Sequence, residues 1–569
     1  MVSVNADLWP HQQKLVARGT FDLINRQAVP LSEVHLRMRV RDTKWIALSV
    51  SGARLAKDYP AFQYRIYRFA RPLVPGATAR VAFTTVYQQV GFRNGGNDTR
   101  VVDNGTWVDN IALLPTIGMD RERLLHDPAA RRRNGLPPEL HPAKLEDLAA
   151  TRFNIFHSDW VKTDITLTTD AAQTPVAPGT KLIDTIKGGR RTARFISEVP
   201  IQNFFSFQSA RYVERHLRHN GVDLAVYYDA QHAWNVDRML ADSAHALDTY
   251  QSDFGPYQFS HMRIVEFPNY VTGAVSYAGT FPYSEGLGFI ANLSRPGSID
   301  YIQQGVGHEL AHQYWGNQAV PAAMQGASML DESLAQYSAH IVMEKFAGRD
   351  QARRFLQAEL DQYLFFRGAG VTAEVPLARV EGADSIAYQK GPVVLYRLRN
   401  VLGSDRVNAA LRRYLDRFRF RSAPYPRSLD LIAEFRRGAS PAENQLITDL
   451  FEKITLYDIR TTAAHVRSMG DGRYETTLTV EAHKYYGGGS GKETEAPLAE
   501  GIDYGLFKAG PGRGALAPND VLAVRRMPVR SGIQQIKIVS VAKPTYGGAD
   551  PYHLLIDRNS EDNIIPVAE

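Results

Sequence analysis

The histidine pair at residues 308 and 312 constrains the fold of this chain more than any other feature of its sequence. The two histidines belong to the pentapeptide His-Glu-Leu-Ala-His. On an α-helix, side chains four residues apart lie on the same face. His308 and His312 can therefore present two imidazoles to one metal ion, with Glu309 beside them as a proton acceptor. The motif predicts a helix packed beside another element, because two ligands do not complete a metal site.

The residues that follow offer a third metal ligand. A catalytic zinc ion takes three protein ligands and keeps one position open for water. Residues 328–346 predict a second helix, which Ser328 and Asp331 could open as a capping box and Gly348 could end. Glu332 would lie in the first turn of this helix and face the histidines. The alternative interpretation of Glu332 is an ordinary exposed acid, favoured there by the helix dipole.

The overall composition is that of a globular protein. A chain of 569 residues exceeds one ordinary core and suggests three or four domains, and its 44% apolar and 22% charged residues fit a soluble protein. No apolar run approaches the length of a membrane span, and residues 1–7 lack the features of a signal peptide. We therefore expect no membrane contact from this chain itself. The absence of cysteine excludes disulfides, thiolate nucleophiles and Cys-ligated zinc.

The charge pattern gives no indication of a nucleic-acid partner. The net charge of +6 arises from 66 basic and 60 acidic residues. One local basic run, residues 131–133, lies in a proline-rich segment at residues 127–142. A nucleic-acid interface would need a wider basic face with interleaved aromatic residues. We therefore expect this run to be a solvated loop and expect no nucleic-acid partner.

The periodicity of apolar residues changes twice along the chain. Alternating patterns predict strands at residues 14–23, 33–40, 80–86 and 160–167, with turns such as those at residues 75–76 and 94–96. From about residue 230 the period approaches 3.6 and predicts helices, at residues 234–254, 351–366, 388–401 and 407–418. Strands return at residues 474–482 and 533–541, with a flexible glycine-rich loop at 486–492. The chain is thus predicted to be multidomain α+β, with a β domain at 1–228, a mainly helical domain at 229–455 and a β-sandwich at 456–569.

Four blocks of sequence resemble those of the M1 zinc aminopeptidases, which are gluzincins. Residues 308–312 and 330–335 (Leu-Asp-Glu-Ser-Leu-Ala) resemble the HExxH and Leu-Asn-Glu-Gly-Phe-Ala blocks, with one residue more between them than is usual. Residues 284–290 (Ser-Glu-Gly-Leu-Gly-Phe-Ile) resemble the second half of the Gly-Ala-Met-Glu-Asn-Trp-Gly-Leu-Ile exopeptidase block. Residues 387–391 (Ala-Tyr-Gln-Lys-Gly) resemble the Tyr-x-Lys-Gly block. Three stretches resemble in particular the M1-like domain of certain bacterial ABC-transporter permease polypeptides, at residues 281–285, 329–339 and 550–559.

The resemblance implies a fold and a set of roles. The fold would be an N-terminal β saddle, a thermolysin-like zinc domain and a C-terminal β-sandwich, without the helical domain that covers the active site of larger members. One Zn²⁺ per chain would be held by His308, His312 and Glu332, with Glu309 as the general base. The Tyr388 hydroxyl would stabilise the oxyanion; a half-buried tyrosine with a backbone partner is the alternative.

Recognition of the substrate amine is the least regular part of the resemblance. Glu285 would bind the N-terminal ammonium of a peptide, although Pro-Tyr-Ser precedes it where the family has Gly-Ala-Met. The family also uses a glutamine from its first domain, and the corresponding residues 103–107 contain none. Asn104 or Thr106 could take its place, or the segment could be only a structural turn.

These observations predict a zinc metallo-aminopeptidase that hydrolyses the N-terminal peptide bond of peptides. Two alternatives stay open: an epoxide hydrolase of the same family, and a non-catalytic peptide-binding or sensing domain of a transporter. If the chain is part of a permease polypeptide, it would be tethered at the bacterial inner membrane, on the periplasmic side.

Overall fold

The computed structural model describes residues 1–91, 100–119, 124–294, 299–370, 373–382, 384–511 and 516–569. The chain divides into two compact units. The first contains residues 1–141, 156–244 and 257–291, and the second contains residues 142–155, 245–256 and 292–569. The turn predicted at residues 94–96 lies outside the described residues. The three-domain division at residues 228 and 455 stays a prediction.

The first unit consists mainly of β-sheet. Its seven-stranded sheet contains, in spatial order, Thr180–Lys187, Arg190–Ile196, Thr163–Asp170, Val2–Trp9, Lys14–Ile24, Thr78–Gln88 and Thr43–Val50. The strand Val2–Trp9 pairs in parallel with one neighbour and antiparallel with the other. Its alternate residues Val2, Val4, Ala6 and Leu8 are buried, as expected of a strand with one face on a core. The strands predicted at residues 14–23, 33–40 and 80–86 are confirmed to within about three residues. The strand predicted at 160–167 is divided at Lys162 into Trp160–Val161 and Thr163–Asp170, which belong to different sheets.

The first unit also contains three smaller sheets. One contains Ala53–Tyr59, Tyr64–Leu73, Leu31–Arg37 and Thr116–Ile117; a second contains Thr174–Val176, Ser206–Ala210 and Thr106–Asp109; a third pairs Trp160–Val161 with Ile201–Gln202. Short helices at Asn110–Leu113 and Pro128–Arg133 interrupt the strands.

A four-stranded sheet precedes the predicted amine-binding residue. Its strands, in spatial order, are Val213–His219, Val222–Tyr228, His261–Phe267 and Thr280–Ser284. The last three strands run parallel, and the predicted helix, Val236–Phe254, lies in the connection between two of them. Every residue of His261–Phe267 and Thr280–Ser284 is buried, which is typical of parallel strands. Glu285 therefore lies directly after the carboxyl end of a buried strand.

The basic run at residues 131–133 was expected to be a solvated loop; Arg132 and Arg133 are indeed exposed, but the run is helical and Arg131 is buried. Residues Pro128–Arg133 form a helix whose first turn is capped by the Asp127 carboxylate. The Arg131 side chain is buried, and it donates hydrogen bonds to the carbonyl oxygens of Leu125 (2.8 Å) and Pro137 (2.6 Å). Arg131 thus ties together the segment around the helix.

From residue 301 to about residue 452, the second unit is mainly helical. The helices are Tyr301–Ala311, Leu334–Ala347, Arg349–Ala369, Gly391–Leu402, Ser404–Phe418, Ser428–Arg436 and Pro441–Ile447. Single π-helical turns occur at Met329–Ser333, Ile386–Lys390 and Thr448–Glu452. The predicted helices are confirmed, and Pro392 lies in the first turn of Gly391–Leu402, where proline is tolerated. Among the helices that the structure describes, none combines the length and the apolar character needed to cross a membrane.

Two four-stranded sheets follow and pack around one core. The first contains Ile454–Ser468, Tyr474–Gly487, Glu493–Ala496 and Gly532–Ser540; the second contains Val521–Arg530, Ala499–Phe507, Tyr546–Ala549 and Ile564–Pro566. Leu478 and Ile538 from the first sheet and Leu506 from the second belong to the same buried cluster. The flexible loop predicted at residues 486–492 is shorter than expected, because the strand Tyr474–Gly487 includes its first two residues.

Candidate active site

Three potential metal ligands meet in the second unit. His308 lies on the helix Tyr301–Ala311, here called the histidine helix, and His312 caps its C-terminal end. Their Nε2 atoms are 3.1 Å apart, with the rings nearly perpendicular. Glu332 belongs to the π-helical turn Met329–Ser333, here called the glutamate turn. Its Oε2 atom lies 3.4 Å from each Nε2, so the three atoms form a nearly equilateral triangle.

This triangle fits a zinc ion. Tetrahedral zinc with nitrogen and oxygen ligands at about 2.0–2.1 Å holds its ligand atoms about 3.3 Å apart. The Glu332 Oε2 atom is buried, and no residue that the structure describes gives it a hydrogen bond. A buried anionic oxygen without a donor is costly unless a cation is nearby. Two imidazole nitrogens and one carboxylate oxygen are also a ligand set of catalytic zinc sites.

Small residues allow the two ligand-bearing segments to approach closely. The glutamate turn continues into the helix Leu334–Ala347, which packs on the histidine helix. A Cβ atom added at Gly307 would lie 3.3 Å from the Ala339 Cα atom, a tight contact. The indole N–H of Trp315 donates to the Ser338 hydroxyl at 3.0 Å. This close packing brings a carboxylate of one segment to the imidazoles of the other.

Asp331 contacts His312 and does not cap a helix, so the predicted capping box is wrong. Ser328 has helical backbone angles, and within the described part of the chain its side chain makes no capping hydrogen bond. Instead, Asp331 Oδ1 lies 2.9 Å from His312 Nδ1, which is also 3.1 Å from the carbonyl oxygen of Trp315. Both oxygens are acceptors, so Nδ1 carries the proton and Nε2 keeps its lone pair for a metal. The only sequence signal for this role was an acid directly before Glu332.

Glu309 is buried on the histidine helix between the two ligands. Burial raises the pKa of its carboxyl above the ordinary value, while the neighbouring charges of His308 and His312 act in the opposite direction. A raised pKa makes a carboxylate a stronger proton acceptor than an ordinary glutamate. The position and the environment of Glu309 therefore suit acid–base chemistry beside the three ligands.

Tyr388 lies in the π-helical turn Ile386–Lys390, here called the tyrosine turn. Its ring centre is 6.0 Å from that of His308, and the two rings are close to parallel. Burial, followed by the negative charge of Glu332, raises the pKa of the Tyr388 hydroxyl. The hydroxyl therefore stays protonated and can donate a hydrogen bond at this site.

Glu285 belongs to the first unit. It begins a π-helical turn, Glu285–Phe289, and its Oε1 atom accepts a hydrogen bond from the backbone N–H of Asn269 at 3.0 Å. Glu285 lines a cavity of about 70 Å³ together with Asn104. Thr106 is buried, and its hydroxyl donates to the carbonyl oxygen of Val102 at 3.3 Å. Of the two residues considered for the missing glutamine, Asn104 is thus the one that lines the cavity.

His232 and Glu266, which the sequence analysis missed, line the same cavity. Glu266 accepts a hydrogen bond from the backbone N–H of Asp229 at 2.6 Å and contacts His232 Nδ1. Burial raises the pKa of Glu266 to about 7. Ligand atoms of His232, Glu266 and Glu285 lie within 4.8 Å of one another. No local signal distinguished Glu266, since it occupies an ordinary position in a predicted strand.

The second unit thus combines an HExxH helix with a glutamate carboxylate from the turn that precedes the next helix. Residues 239–453 match the model of the Peptidase family M1 domain. The structure is similar to that of an M1 zinc metallopeptidase from Deinococcus radiodurans, with a TM-score of 0.55, 18% identity, and coverage of 79% of this chain and 92% of that one. At this identity, the similarity is evidence for the fold.

Curated relatives match about a third of the chain. Endoplasmic reticulum aminopeptidase 2 of Homo sapiens is 24% identical over 220 residues, which are 36% of this chain and 22% of the relative. Endoplasmic reticulum aminopeptidase 1 of Rattus norvegicus is 26% identical over 215 residues, 36% of this chain and 23% of the relative. Aminopeptidase M1-A of Oryza sativa subsp. japonica is 26% identical over 191 residues, 32% and 21% respectively. The matches thus span about a fifth of the length of these relatives.

Proposed function

We propose that this chain is a zinc-dependent aminopeptidase of the M1 type, which hydrolyses the N-terminal peptide bond of peptides. The observation that carries the proposal is the triangle of His308 Nε2, His312 Nε2 and Glu332 Oε2, with sides of 3.1, 3.4 and 3.4 Å. Glu309 and Tyr388 accompany it, although a purely structural metal site would need neither. Their presence favours catalysis over a peptide-sensing role.

In this proposal, His308, His312 and Glu332 hold one Zn²⁺ per chain. When bound, zinc supplies Lewis acidity that polarises the scissile carbonyl and makes the attacking water more acidic. Glu309 accepts a proton from that water and passes it to the leaving nitrogen. The Tyr388 hydroxyl donates a hydrogen bond to the oxyanion as it develops.

The restriction to the N-terminal bond is assigned to Glu285. A fixed carboxylate attracts the ammonium group of a free chain end but offers nothing to a blocked one. The support is that Glu285 and Asn104 line one cavity of the first unit. An amide oxygen and a carboxylate are both acceptors for the N–H groups of an ammonium.

A panel of chromogenic aminoacyl amides, measured with and without a chelator, tests the proposal. We expect hydrolysis of substrates with a free amine, loss of activity with the chelator and recovery on addition of Zn²⁺. Metal analysis of the purified chain is expected to find one zinc. Turnover of an epoxide without turnover of amides would favour the epoxide hydrolase, and saturable peptide binding without turnover would favour the sensing domain.

We also infer a transporter context from the sequence resemblance. The stretches at residues 281–285, 329–339 and 550–559 support it. In that context the chain would be tethered to the bacterial inner membrane and would face the periplasm. Protease accessibility of the natural gene product in intact spheroplasts tests this: cleavage by external protease agrees with it, and protection in spheroplasts contradicts it.

A further inference from the structure

The Tyr-x-Lys-Gly block contains two residues to which the proposed reaction gives no role, Lys390 and Gly391. Lys390 is the last residue of the tyrosine turn, two positions after Tyr388, and Gly391 begins the helix that follows. A transition-state donor must be held within a fraction of an ångström of its position to be effective. The contacts of Lys390 and Gly391 show how the turn is held.

Lys390 is buried and forms an ion pair. Only 1% of its side chain is exposed, and its Nζ atom donates to Glu374 Oε1 at 2.9 Å. Nζ also lies 5.2 Å from the ring centre of Tyr363. A buried ammonium without its partner would be strongly unfavourable, so the position of Lys390 is set by the position of Glu374.

Glu374 is in turn fixed from three other directions. Tyr363 donates a hydrogen bond to its Oε1 atom, and Arg367 donates to its Oε2 atom at 2.8 Å. Its backbone N–H donates to the carbonyl oxygen of Gly489 at 2.9 Å. Arg367 also pairs with Glu493 at 3.1 Å. The partner of Lys390 is therefore anchored both to the helix Arg349–Ala369 and to the C-terminal sheets.

Gly391 allows the tyrosine turn to dock on the glutamate turn. A Cβ atom added at Gly391 would lie 2.2 Å from Ser333 Oγ and 2.5 Å from Ser333 Cβ, which no side chain can accommodate. Ser333 Oγ donates to the carbonyl oxygen of Ala387 at 2.7 Å. The residue after Glu332 is thus bonded to the residue before Tyr388.

We propose that Lys390 and Gly391 are positioning residues, which hold the Tyr388 hydroxyl in register with the Glu332 carboxylate. The Lys390–Glu374 pair fixes the last residue of the tyrosine turn. The close approach of Gly391 to Ser333 packs the end of the tyrosine turn against the glutamate turn. Through the contacts of Glu374 with Gly489 and of Arg367 with Glu493, the C-terminal part of the chain supports the tyrosine turn indirectly. The kinetic part of this inference rests on the proposed function, in which Tyr388 is the oxyanion donor.

A double-mutant cycle tests the kinetic consequence. Tyr388→Phe is expected to lower kcat by about 100-fold or more, as for loss of one oxyanion donor. Lys390→Met is expected to lower kcat by at least about tenfold with KM changed less than about twofold, because a shift of about 1 Å can be this costly. In the Tyr388→Phe background, Lys390→Met should lower kcat less than about twofold further.

Arg413→Met is the matched control for this cycle. Arg413 also pairs with a buried glutamate, Glu434, at 2.7 Å, but it lies on another helix, Ser404–Phe418. Its substitution should have the same effect in both Tyr388 backgrounds. An equal fractional loss of kcat for Lys390→Met in both backgrounds would overturn the positioning role and leave only a general effect on the fold.

Amide hydrogen exchange of the full chain tests the inference without any activity. Lys390→Met should raise exchange in residues 386–391 by about tenfold or more and leave the histidine helix unchanged, whereas Arg413→Met should not. Glu374→Gln, which keeps the side-chain shape, should give the same pattern. Unchanged exchange in residues 386–391 in both variants would overturn the inference. If the natural chain hydrolyses no aminoacyl amide, the proposed function fails, and the exchange result still decides whether Lys390 positions the turn.

Discussion

Replacing Asp331 by asparagine should weaken zinc binding without removing any metal ligand. Asp331 Oδ1 lies 2.9 Å from His312 Nδ1. Asparagine has almost the same shape and can still accept a hydrogen bond from Nδ1 through its amide oxygen. The substitution therefore removes the negative charge and leaves the packing of the glutamate turn in place.

The expected loss of zinc affinity follows from two independent considerations. A hydrogen bond to a charged group contributes about 1.5–3 kcal/mol, compared with about 1 kcal/mol for a neutral one. Loss of an outer partner of a metal-binding histidine typically weakens metal affinity by about 10- to 100-fold, which corresponds to about 1.4–2.7 kcal/mol. The carbonyl oxygen of Trp315, at 3.1 Å from Nδ1, still orients the ring. We therefore expect the lower part of the range, an increase of about tenfold in the Kd for zinc.

Competition with a chromophoric chelator at fixed pH measures this Kd. Asp416→Asn provides a control, because Asp416 is an exposed acid in the same unit, with 66% of its side chain accessible. At saturating zinc the Asp331→Asn variant should regain most of its turnover. A Kd equal to that of the natural chain would refute the assignment of Asp331 as the residue that orients and polarises His312.

Three further predictions concern the acids of the chain. Glu309→Gln should leave zinc bound, as seen by metal analysis, but lower kcat by at least about 100-fold; undiminished turnover would remove the assignment as base. Glu285→Ala should reduce kcat/KM for substrates with a free amine and leave N-blocked substrates unaffected, and an unchanged preference would contradict the amine anchor. Burial raises the pKa of Glu359 to about 8, and a hydrogen bond from Gln336 acts in the opposite direction. Because the pKa of Glu359 is higher in the folded chain than in the unfolded chain, its protonated form favours folding. This stabilisation is complete below the ordinary glutamate pKa and is lost as pH rises toward 8. The loss in free energy of unfolding is about 1.4 kcal/mol for each unit by which the folded-state pKa exceeds the unfolded-state pKa. Urea unfolding at several pH values should show this loss in the natural chain and not in Glu359→Gln; parallel pH profiles would contradict it.

The elements of the fold could be predicted well where the sequence is periodic. The strand at residues 14–23 and the helix at 234–254 were both predicted within about two residues of Lys14–Ile24 and Val236–Phe254, because apolar spacing reflects backbone geometry over a few residues. The capping box at Ser328 failed for a physical reason. The rule requires a serine with extended backbone angles, whereas Ser328 is already helical, and this depends on how the preceding chain approaches.

Partners of buried polar groups could not be predicted. His232 and Glu266 are separated by 34 residues, and Lys390 and Glu374 by 16, so no local pattern connects them. Arg131 was interpreted as part of a solvated loop because a short run of like charges is usually solvated, but two carbonyl oxygens of its own segment accept its hydrogen bonds.

The sequence by itself determined which residue types could form a metal site, because helical spacing alone places His308 and His312 on one face, with Glu309 next to them in the chain. It also indicated Glu332 and Tyr388 through their blocks. Only the tertiary structure decided that Glu332 reaches both imidazoles, that Asp331 orients His312 and that Lys390 and Gly391 hold the tyrosine turn. These contacts depend on how closely two segments pack, which is set by the absence of a Cβ atom at Gly307 and Gly391 and by ion pairs between distant residues. Such distances are properties of the packed chain, and local periodicity does not contain them.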